Sequence, residues 1–161
     1  MKSLQILVVY DSKTGNTEKM AFAVAKGAKE AGMVDVMLKK VDKTTNKDLL
    51  KADGIIVGSP TYYGQMSNKL KTLFDESVEI HGKLEGKVGA AFTSSGGVAT
   101  GAETTILSII QAMLIHGMVI QGRAQGGHYG AAAVGEPKGR EEEKCSELGR
   151  MVAKLVSKLK R

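Results

Sequence analysis

The stretch LQILVVYDSKTGNTEKMAFAVAKGAKEAG, from Leu4 to Gly32, contains the unit from which the fold follows. Leu4 to Tyr10 is an almost continuous apolar run, which is typical of a strand covered on both faces of a sheet. After a short polar loop, apolar residues recur at the helical period on one face: Met20, Ala21, Val24, Ala28 and Ala31. Gly32 is placed to end this helix. A buried strand, a short loop and an amphipathic helix predict the first half of a β-α-β unit.

The same alternation continues along the chain. Further strands are predicted at Val34 to Leu38, Gly54 to Gly58, Val88 to Phe92 and Met118 to Gln121, the last continuing at Tyr129 to Val134 after a glycine-rich break. Further helices are predicted at Asn46 to Ala52 with Asn46 as N-cap, after Ser67, at Glu103 to His116, and at about Arg140 to Lys160 after Pro137. Strands and helices in strict alternation predict an α/β fold: a doubly wound, five-stranded parallel sheet with helices on both faces, a three-layer α/β/α sandwich.

The later helices have recognisable inner faces. The helix after Ser67 is expected to bury Leu70, Leu73, Phe74 and either Ser77 or Val78. The last helix is expected to bury Cys145, Leu148, Val152, Leu155 and Leu159.

Length and composition limit the classes of protein to which the chain can belong. Its 161 residues fit a single domain, 1–161, with a full hydrophobic core. The single cysteine, Cys145, excludes an intrachain disulfide and a cysteine-rich metal site, and His81, His116 and His128 have no metal-ligand spacing. No apolar run reaches the roughly 18 residues of a membrane span, and the N-terminal run is interpreted as a strand rather than a signal peptide. A cytoplasmic protein without a metal site or membrane partner is expected.

The chain is basic, with 23 Lys and Arg against 17 Asp and Glu, a formal charge of +6. The basic residues are spread over predicted helix surfaces and their flanks: Lys39, Lys40, Lys43, Lys47, Lys51, Lys154, Lys158, Lys160 and Arg161. No aromatic RNA-binding pattern, zinc finger or heptad array accompanies them. A solvated basic surface is therefore the interpretation, and no nucleic-acid partner is expected.

Function is expected in the loops at the carboxyl ends of the strands, where doubly wound sheets bind their ligands. The first such loop, Asp11 to Thr17, combines hydroxyl and amide side chains with a glycine and a helix N-terminus, which together suit a phosphate group. It contains neither GxxxxGK[ST] nor GxGxxG, so it is not a P-loop or a dinucleotide fingerprint. An ordinary capped turn is the alternative.

Two further loops complete the expected site. The loop Ser59 to Met66 holds Tyr62 and Tyr63, which could provide a flat apolar wall or, alternatively, pack on the neighbouring helix. The loop Thr93 to Gly101 consists mostly of small residues that let a planar ligand approach the backbone; a flexible glycine loop is the alternative. The three loops together are more specific than any one of them.

Five segments carry a resemblance to a known family: SKTGNT at 12–17, GSPTYYGQMSNKLKTLFD at 58–75, FTSSGG at 92–97, GMVI at 117–120 and YGA at 129–131. With them the chain resembles flavodoxins over nearly its whole length. It is more closely similar to the tryptophan-repressor-binding-protein-like NAD(P)H:quinone oxidoreductases of the flavodoxin-like superfamily.

The resemblance implies FMN as the cofactor. The residues it places around the FMN phosphate are Ser12, Lys13, Thr14, Gly15, Asn16 and Thr17. Those it places around the flavin ring are Pro60, Thr61, Tyr62, Tyr63, Gly64, Ser94, Ser95, Gly96 and Gly97. No side-chain acid or base is expected to be catalytic, because the flavin supplies the redox chemistry. The resemblance further implies that the carbonyl of Gly64 can flip to accept a hydrogen bond from the N5–H that the flavin gains on reduction.

The chain also departs from these relatives. It has no tryptophan, and no aromatic residue between Ser94 and Gly101, so one face of the ring should be less covered. Relative to the quinone reductases, Glu79 stands near an expected tryptophan, Ile115 takes the place of an expected histidine, and the chain is shorter after Lys39 and Gly122.

Several functions remain open from sequence. The preferred interpretation is an FMN-binding redox protein that carries out NAD(P)H-dependent reduction of a quinone or similar small acceptor, which the bare ring-facing loop favours. Short length favours a flavodoxin-type carrier whose protein partner presents an acidic face. A non-catalytic interaction module is a third reading. A phospho-acceptor domain using Asp11 and Asp53 is disfavoured, because it needs an acid where Ser59 follows the third strand.

Self-association is also expected. Between Val88 and Gly122 the only formally charged residue is Glu103. The outer face of the helix Glu103 to His116 is therefore uncharged and includes Ile115, which is typical of an interface. The resemblance to oligomeric quinone reductases points the same way, whereas coverage by neighbouring helices of the same chain is the alternative.

Overall fold

A fully parallel sheet forms the middle layer of the protein. The computed structural model describes residues 3–160, and its strands are β1 (Gln5–Tyr10), β2 (Asp35–Lys40), β3 (Gly54–Pro60), β4 (Val88–Ser95), β5 (Val119–Ile120) and β6 (Ala131–Val134). The strand order is β2-β1-β3-β4-β5, and β6 also pairs with β4. The order reverses between β1 and β3, which makes the crevice beyond their carboxyl ends the place for a ligand.

Helices cover both faces of the sheet, as the sequence predicts. They are α1 (Asn16–Glu30), α2 (Asn46–Lys51), α3 (Asn68–Glu76), α4 (Ala102–Ile115) and α5 (Arg140–Leu159), with 3-10 turns at Val41–Lys43 and Ser77–Ile80. One apolar core joins α1 and α5 to the sheet, and a second joins α2, α3 and α4 to its other face. This arrangement confirms the doubly wound α/β/α sandwich.

Helices α1 and α5 pack closely because glycines stand at their contact. A Cβ on Gly27 would lie 1.9 Å from the carbonyl oxygen of Ser146, and one on Gly149 would lie 2.0 Å from that of Val24. A larger residue at either position would push the helices apart. The close packing fixes the C-terminal half of α1 against α5.

The fifth position of the sheet is divided between two short strands. β5 pairs with the start of β4 at Val88 and Gly89, whereas β6 pairs with its end, from Phe92 to Ser95. The chain leaves the sheet between them, which confirms the predicted glycine-rich break. β3 and β4 also continue to Pro60 and Ser95, past their predicted ends, so part of each ligand loop is itself buried strand.

Two local predictions are wrong, and one open alternative is resolved. The N-cap of α2 is Thr45 instead of Asn46, because Thr45 and Asp48 form a reciprocal capping box. On α5, Leu159 is half exposed and Val156 is buried, because the helix contacts α1 and the sheet along a slightly rotated face. After α3, Ser77 is the buried alternative, whereas Val78 is 70% exposed. Among the described residues, no helix is long and apolar enough to cross a membrane.

Candidate functional site

The predicted loops meet in one cleft at the carboxyl ends of β1, β3 and β4. The cleft has a volume of about 290 Å³ and is lined by Lys13, Thr14, Asn16, Thr17, Pro60, Thr61, Tyr62, Ser94, Ser95, Gly96 and Gly135. Every lining residue except Gly135 belongs to the predicted set. The other predicted residues stand next to the cleft without lining it: Ser12, Gly15, Tyr63, Gly64 and Gly97.

The first loop leaves backbone donors free at the start of α1. The hydroxyl of Ser12 accepts hydrogen bonds from the N–H groups of Gly15 (3.2 Å) and Glu18 (3.3 Å). Within residues 3–160, the N–H groups of Asn16 and Thr17 have no hydrogen-bond acceptor. Free N–H groups at a helix N-terminus attract an anion, so the loop has the donors that a phosphate needs.

Side chains extend this set of donors. Lys13 and Thr14 are exposed, Asn16 is half-buried, and within the described part of the chain none of the three side chains makes a hydrogen bond or ion pair. Lys13 is the only charged residue of the lining. A phosphate here would therefore be held mostly by neutral donors, with one cation.

A buried tyrosine, Tyr10, holds the first turn of α1, which directly follows the loop. The hydroxyl of Tyr10 donates a 2.6 Å hydrogen bond to the carboxylate of Glu18, which also lies 3.6 Å from Lys40. Burial, with the hydrogen bond to Glu18, raises the pKa of Tyr10 to about 12. The same hydrogen bond holds the pKa of Glu18 below its usual value. The carboxylate of Glu18, one residue after the loop, is thus engaged by its own partners.

Thr17 has a different position from that expected of a loop residue. It belongs to α1 and is only 1% exposed, and its hydroxyl lies 2.8 Å from that of Ser94 at the end of β4. The pair connects the phosphate loop to the strand whose loop would face the ring. Either hydroxyl can donate in this contact.

The loop after β3 closes in a two-residue turn. Tyr62 and Gln65 exchange backbone hydrogen bonds of 3.2 and 3.0 Å, and the residues between them, Tyr63 and Gly64, have φ angles of 50° and 71°. Positive φ at both central positions is the pattern of a type I′ turn. Tyr63 is fully exposed and does not pack on the helix, and Tyr62 lines the cleft with 42% of its surface exposed.

Hydroxyl groups beneath the cleft hold β3 and β4 in place. The hydroxyls of Thr61 and Thr93 lie 2.9 Å apart, and Thr93 donates a 2.6 Å bond to the carbonyl of Ser59. The hydroxyl of Ser59 accepts the N–H of Ser67, the N-cap of α3, at 2.9 Å. A satisfied buried network of this kind makes the floor of the cleft rigid.

Gly135 is the lining residue that the sequence predictions missed. It follows β6, and its N–H donates a 2.8 Å hydrogen bond to the carbonyl of Ser95. Its neighbour Glu136 forms an ion pair with Lys19 of α1, so the loop after β6 is fastened to both sides of the cleft. The signal was available, because Gly135 stands at the carboxyl end of the last predicted strand segment.

The lining can bind but has little means of catalysis by itself. It contains hydroxyls, amides, one aromatic ring and one cation, and no carboxylate, histidine or thiol. Among the described residues, no group of three or more His, Cys, Asp or Glu side chains is placed to hold a metal ion. The donors fit the phosphate of a flavin nucleotide, and Tyr62 with the backbone of Ser94 to Gly96 fits its ring. Redox chemistry would be that of such a bound group.

Comparisons with known proteins agree with this geometry. Residues 8–107 match the flavodoxin family. A flavodoxin of Aquifex aeolicus is 42% identical over 161 aligned positions, covering 95% of this chain and 87% of the relative. An NAD(P)H dehydrogenase (quinone) of Archaeoglobus fulgidus is 37% identical over 190 positions, covering 96% and 98% of the two chains.

Solved structures give the same result. A WrbA-like flavodoxin from Agrobacterium tumefaciens superposes with a TM-score of 0.83 at 28% identity, covering 97% of this chain and 99% of the other. The segment 8–107 that matches the flavodoxin family includes the end of β1, the loop after it, β3 and β4, which line most of the cleft. The chain belongs to the flavodoxin family of flavin redox proteins.

Proposed function

We propose that the protein binds FMN in the cleft and acts as an electron carrier between protein partners. The observation that carries the proposal is the set of unused donors at the start of α1, the N–H groups of Asn16 and Thr17 with the side chains of Lys13 and Thr14, facing the same cleft as Tyr62. These groups would hold the phosphate and Tyr62 one side of the ring. Bound FMN supplies reversible uptake of electrons, while the protein sets its affinity and exposure.

Chain length supports the carrier over the enzyme. The pairing with the A. aeolicus flavodoxin spans 161 positions, whereas the pairing with the A. fulgidus quinone dehydrogenase needs 190 positions to cover almost the same share of this chain. Because 96% of this chain is about 155 residues, about 35 of the 190 aligned positions have no counterpart here. The resemblance to the quinone reductases places the shortening after Lys39 and after Gly122, and β5, just before Gly122, has only two residues.

NAD(P)H-dependent reduction of a quinone or similar acceptor is the second candidate. It is favoured by the loop after β4, in which Gly96 and Val98 to Thr100 are exposed and carry no aromatic ring. A ring face bordered by such a loop would be open to a small substrate. No catalytic side chain is assigned in either case.

The proposal includes two kinds of partner. The formal charge of +6 suits a redox partner with an acidic face. A second copy of this chain would cover α4, where Leu114 and Ile115 are 55% and 75% exposed. Two adjoining apolar cavities of about 570 and 470 Å³ lie between α3 and α4 and share Lys71, Ala112 and Ile115.

Anaerobic stopped-flow mixing of the FMN-loaded protein with NADH and with NADPH tests the choice of function. A carrier leaves the flavin absorption unchanged on the seconds timescale with either nucleotide, and is reduced by dithionite or by a reductase protein. Rapid bleaching by either nucleotide would replace the carrier with the enzyme. Failure to bind FMN in a fluorescence titration would contradict both the carrier and the enzyme.

A further inference from the structure

The far edge of the sheet borders a second cleft, separate from the flavin site. This edge cleft has a volume of about 480 Å³ and lies between Gln121, just after β5, and one face of α5: Glu147, Arg150, Met151, Lys154, Leu155 and Lys158. It shares no residue with the cleft described above. Its floor is apolar, because Met151 and Leu155 are partly buried against the core.

Within residues 3–160, no strand pairs with the outer edge of β5, the strand beside the cleft. β5 is the last strand in the sheet order, and Val119 donates a 2.8 Å hydrogen bond to Lys87 at the start of β4. Alternate residues of a strand direct their N–H and C=O groups to opposite sides, so those of Ile120 face away from β4. An unpaired strand edge is a template for pairing with another extended chain.

The helix beside the cleft is positively charged. Arg150 is already paired with Glu30 at 3.0 Å, and Glu147 with Arg123 at 2.6 Å. Lys154 and Lys158 are exposed, and within residues 3–160 neither has an acidic partner. The two lysines therefore give the cleft an excess of positive charge above its apolar floor.

The spacing of the two lysines matches an extended chain. Four residues of α-helix advance by about 6 Å. Side chains two apart on one face of a strand are about 6.6 Å apart. Acidic side chains at alternate positions of an added strand would thus meet Lys154 and Lys158 in register.

We propose that the edge cleft binds an extended acidic segment of a partner protein, which adds a strand to β5 and sets alternate Glu or Asp side chains against Lys154 and Lys158. Charge complementarity selects this partner over a second copy of the chain. Within the described residues, closely spaced acids occur on helices and turns, as at Glu141–Glu143 of α5, and not on an extended segment. The proposal is independent of whether the flavin site serves a carrier or an enzyme.

Fluorescence anisotropy with two labelled peptides of equal composition tests the proposal. The peptide TEVEVET places its acids at alternate positions, whereas EEETVVT places them together. TEVEVET should bind the FMN-loaded protein, and the Lys154→Gln/Lys158→Gln variant should bind it about tenfold more weakly. The matched control, Lys47→Gln/Lys51→Gln on α2, makes the same change of charge at exposed positions and should bind as the wild type does.

Any of the following outcomes would overturn the proposal. Equal losses in both double variants would mean long-range attraction alone, and equal affinity for EEETVVT would exclude strand addition. Binding of phosphatidylserine vesicles through Lys154 and Lys158, without binding of TEVEVET, would assign the surface to a membrane. FMN titration checks that both variants fold. The amide NMR signal of Ile120 must shift on adding TEVEVET, and an unmoved signal would place the peptide elsewhere.

Discussion

A Cβ on Gly101 would stand 2.6 Å from the Cα of Gly64, so the backbones of the two glycines touch. Gly64 lies in the turn after β3, and Gly101 precedes the first residue of α4. Both have positive φ angles, 71° and 104°. The contact presses the loop that carries Tyr62 against the start of α4 and leaves no space for a side chain between them.

Replacing Gly101 with alanine should therefore destabilise the protein. The new methyl group meets backbone, and the positive φ is costly for any residue with a Cβ, so the free energy of unfolding should fall by about 1–3 kcal/mol in urea denaturation. Gly96→Ala is the control, because nothing lies within 4 Å of its Cβ position. Equal stability of the two variants would contradict the contact.

The hydrogen-bond donors at the start of α1 should make the protein bind FMN more tightly than riboflavin. Loss of the phosphate removes several charge-assisted hydrogen bonds, each worth about 1.5–3 kcal/mol, so riboflavin should bind far more weakly in a fluorescence titration. Thr14→Ala should weaken FMN binding and leave riboflavin binding unchanged, whereas Thr72→Ala on the surface of α3 should affect neither. Equal affinities for the two flavins would refute the phosphate site.

The buried position of Thr17 calls for a different expectation from that for Thr14. Thr17→Ala would leave the hydroxyl of Ser94, itself only 8% exposed, without its partner at 2.8 Å. The free energy of unfolding should fall by about 1–3 kcal/mol even without FMN. Thermal denaturation of the apoprotein measures this, and an unchanged melting temperature would argue against the buried pair.

Self-association should depend on the exposed face of α4. Light scattering of the wild type at micromolar concentration should give a dimer or a larger species. Ile115→Lys should shift it towards the monomer, because a charge would be buried in an apolar interface. Phe22→Lys is the matched control, since Phe22 is 58% exposed on α1, on the other side of the sheet. A wild-type monomer would end the proposal.

His116 should make stability depend on pH in weak acid. The hydroxyl of Ser77 donates to the carbonyl of Phe74 at 2.6 Å, so it accepts from Nε2–H of His116 at 2.7 Å. The Nδ1 atom of His116 is buried and, among the described residues, has no partner. Burial, with the nearby charge of His81, lowers the pKa of His116 below 6.5.

The unfolded chain therefore takes up this proton more readily than the folded protein. The contribution of neutral His116 to stability is complete above pH 6.5 and is lost as the pH falls below it. In urea denaturation at a series of pH values, His116→Gln should show a weaker decline than the wild type. His128→Gln, at an exposed position, should decline as the wild type does, and parallel curves for all three would rule out this role.

Cys145 should be an inert thiol. It is fully buried in α5, and burial, with Glu142 and Glu141 nearby, raises its pKa to about 12. The thiolate is the reactive form, so the native protein should not react with DTNB at pH 8, whereas the urea-unfolded chain should react at once. Rapid labelling of the native protein would show that α5 opens.

Much of this architecture could be predicted from sequence because its strands are buried on both faces. Continuous apolar runs such as Leu4 to Tyr10 predict a parallel sheet. Ser67 predicts the start of α3, because its side chain caps that helix. The ends of elements were harder. Ser59, Pro60, Ser94 and Ser95 belong to buried strands, although polar and proline residues usually indicate loops.

The candidate site could also be predicted only in part. Loop membership was predictable, since loops at the carboxyl ends of parallel strands must converge. The sequence could not predict which hydrogen-bonding groups of these loops are free, because that depends on partners far away in the chain. The hydroxyl of Thr17 is paired with that of Ser94, and Gly135 is held at the cleft by the carbonyl of Ser95.

The division of the sheet edge between β5 and β6 has a practical consequence for engineering. The intervening loop closes on itself through hydrogen bonds between Arg123 and His128, and the chain re-enters at Gly130, where a Cβ would meet the carbonyl of Ala91 at 2.1 Å. Gly126, at the exposed tip, is thus uncoupled from strand register. Each doubling of a loop costs only about 0.6 kcal/mol in closure entropy. A folded reporter domain could therefore be inserted there without moving either half of the sheet.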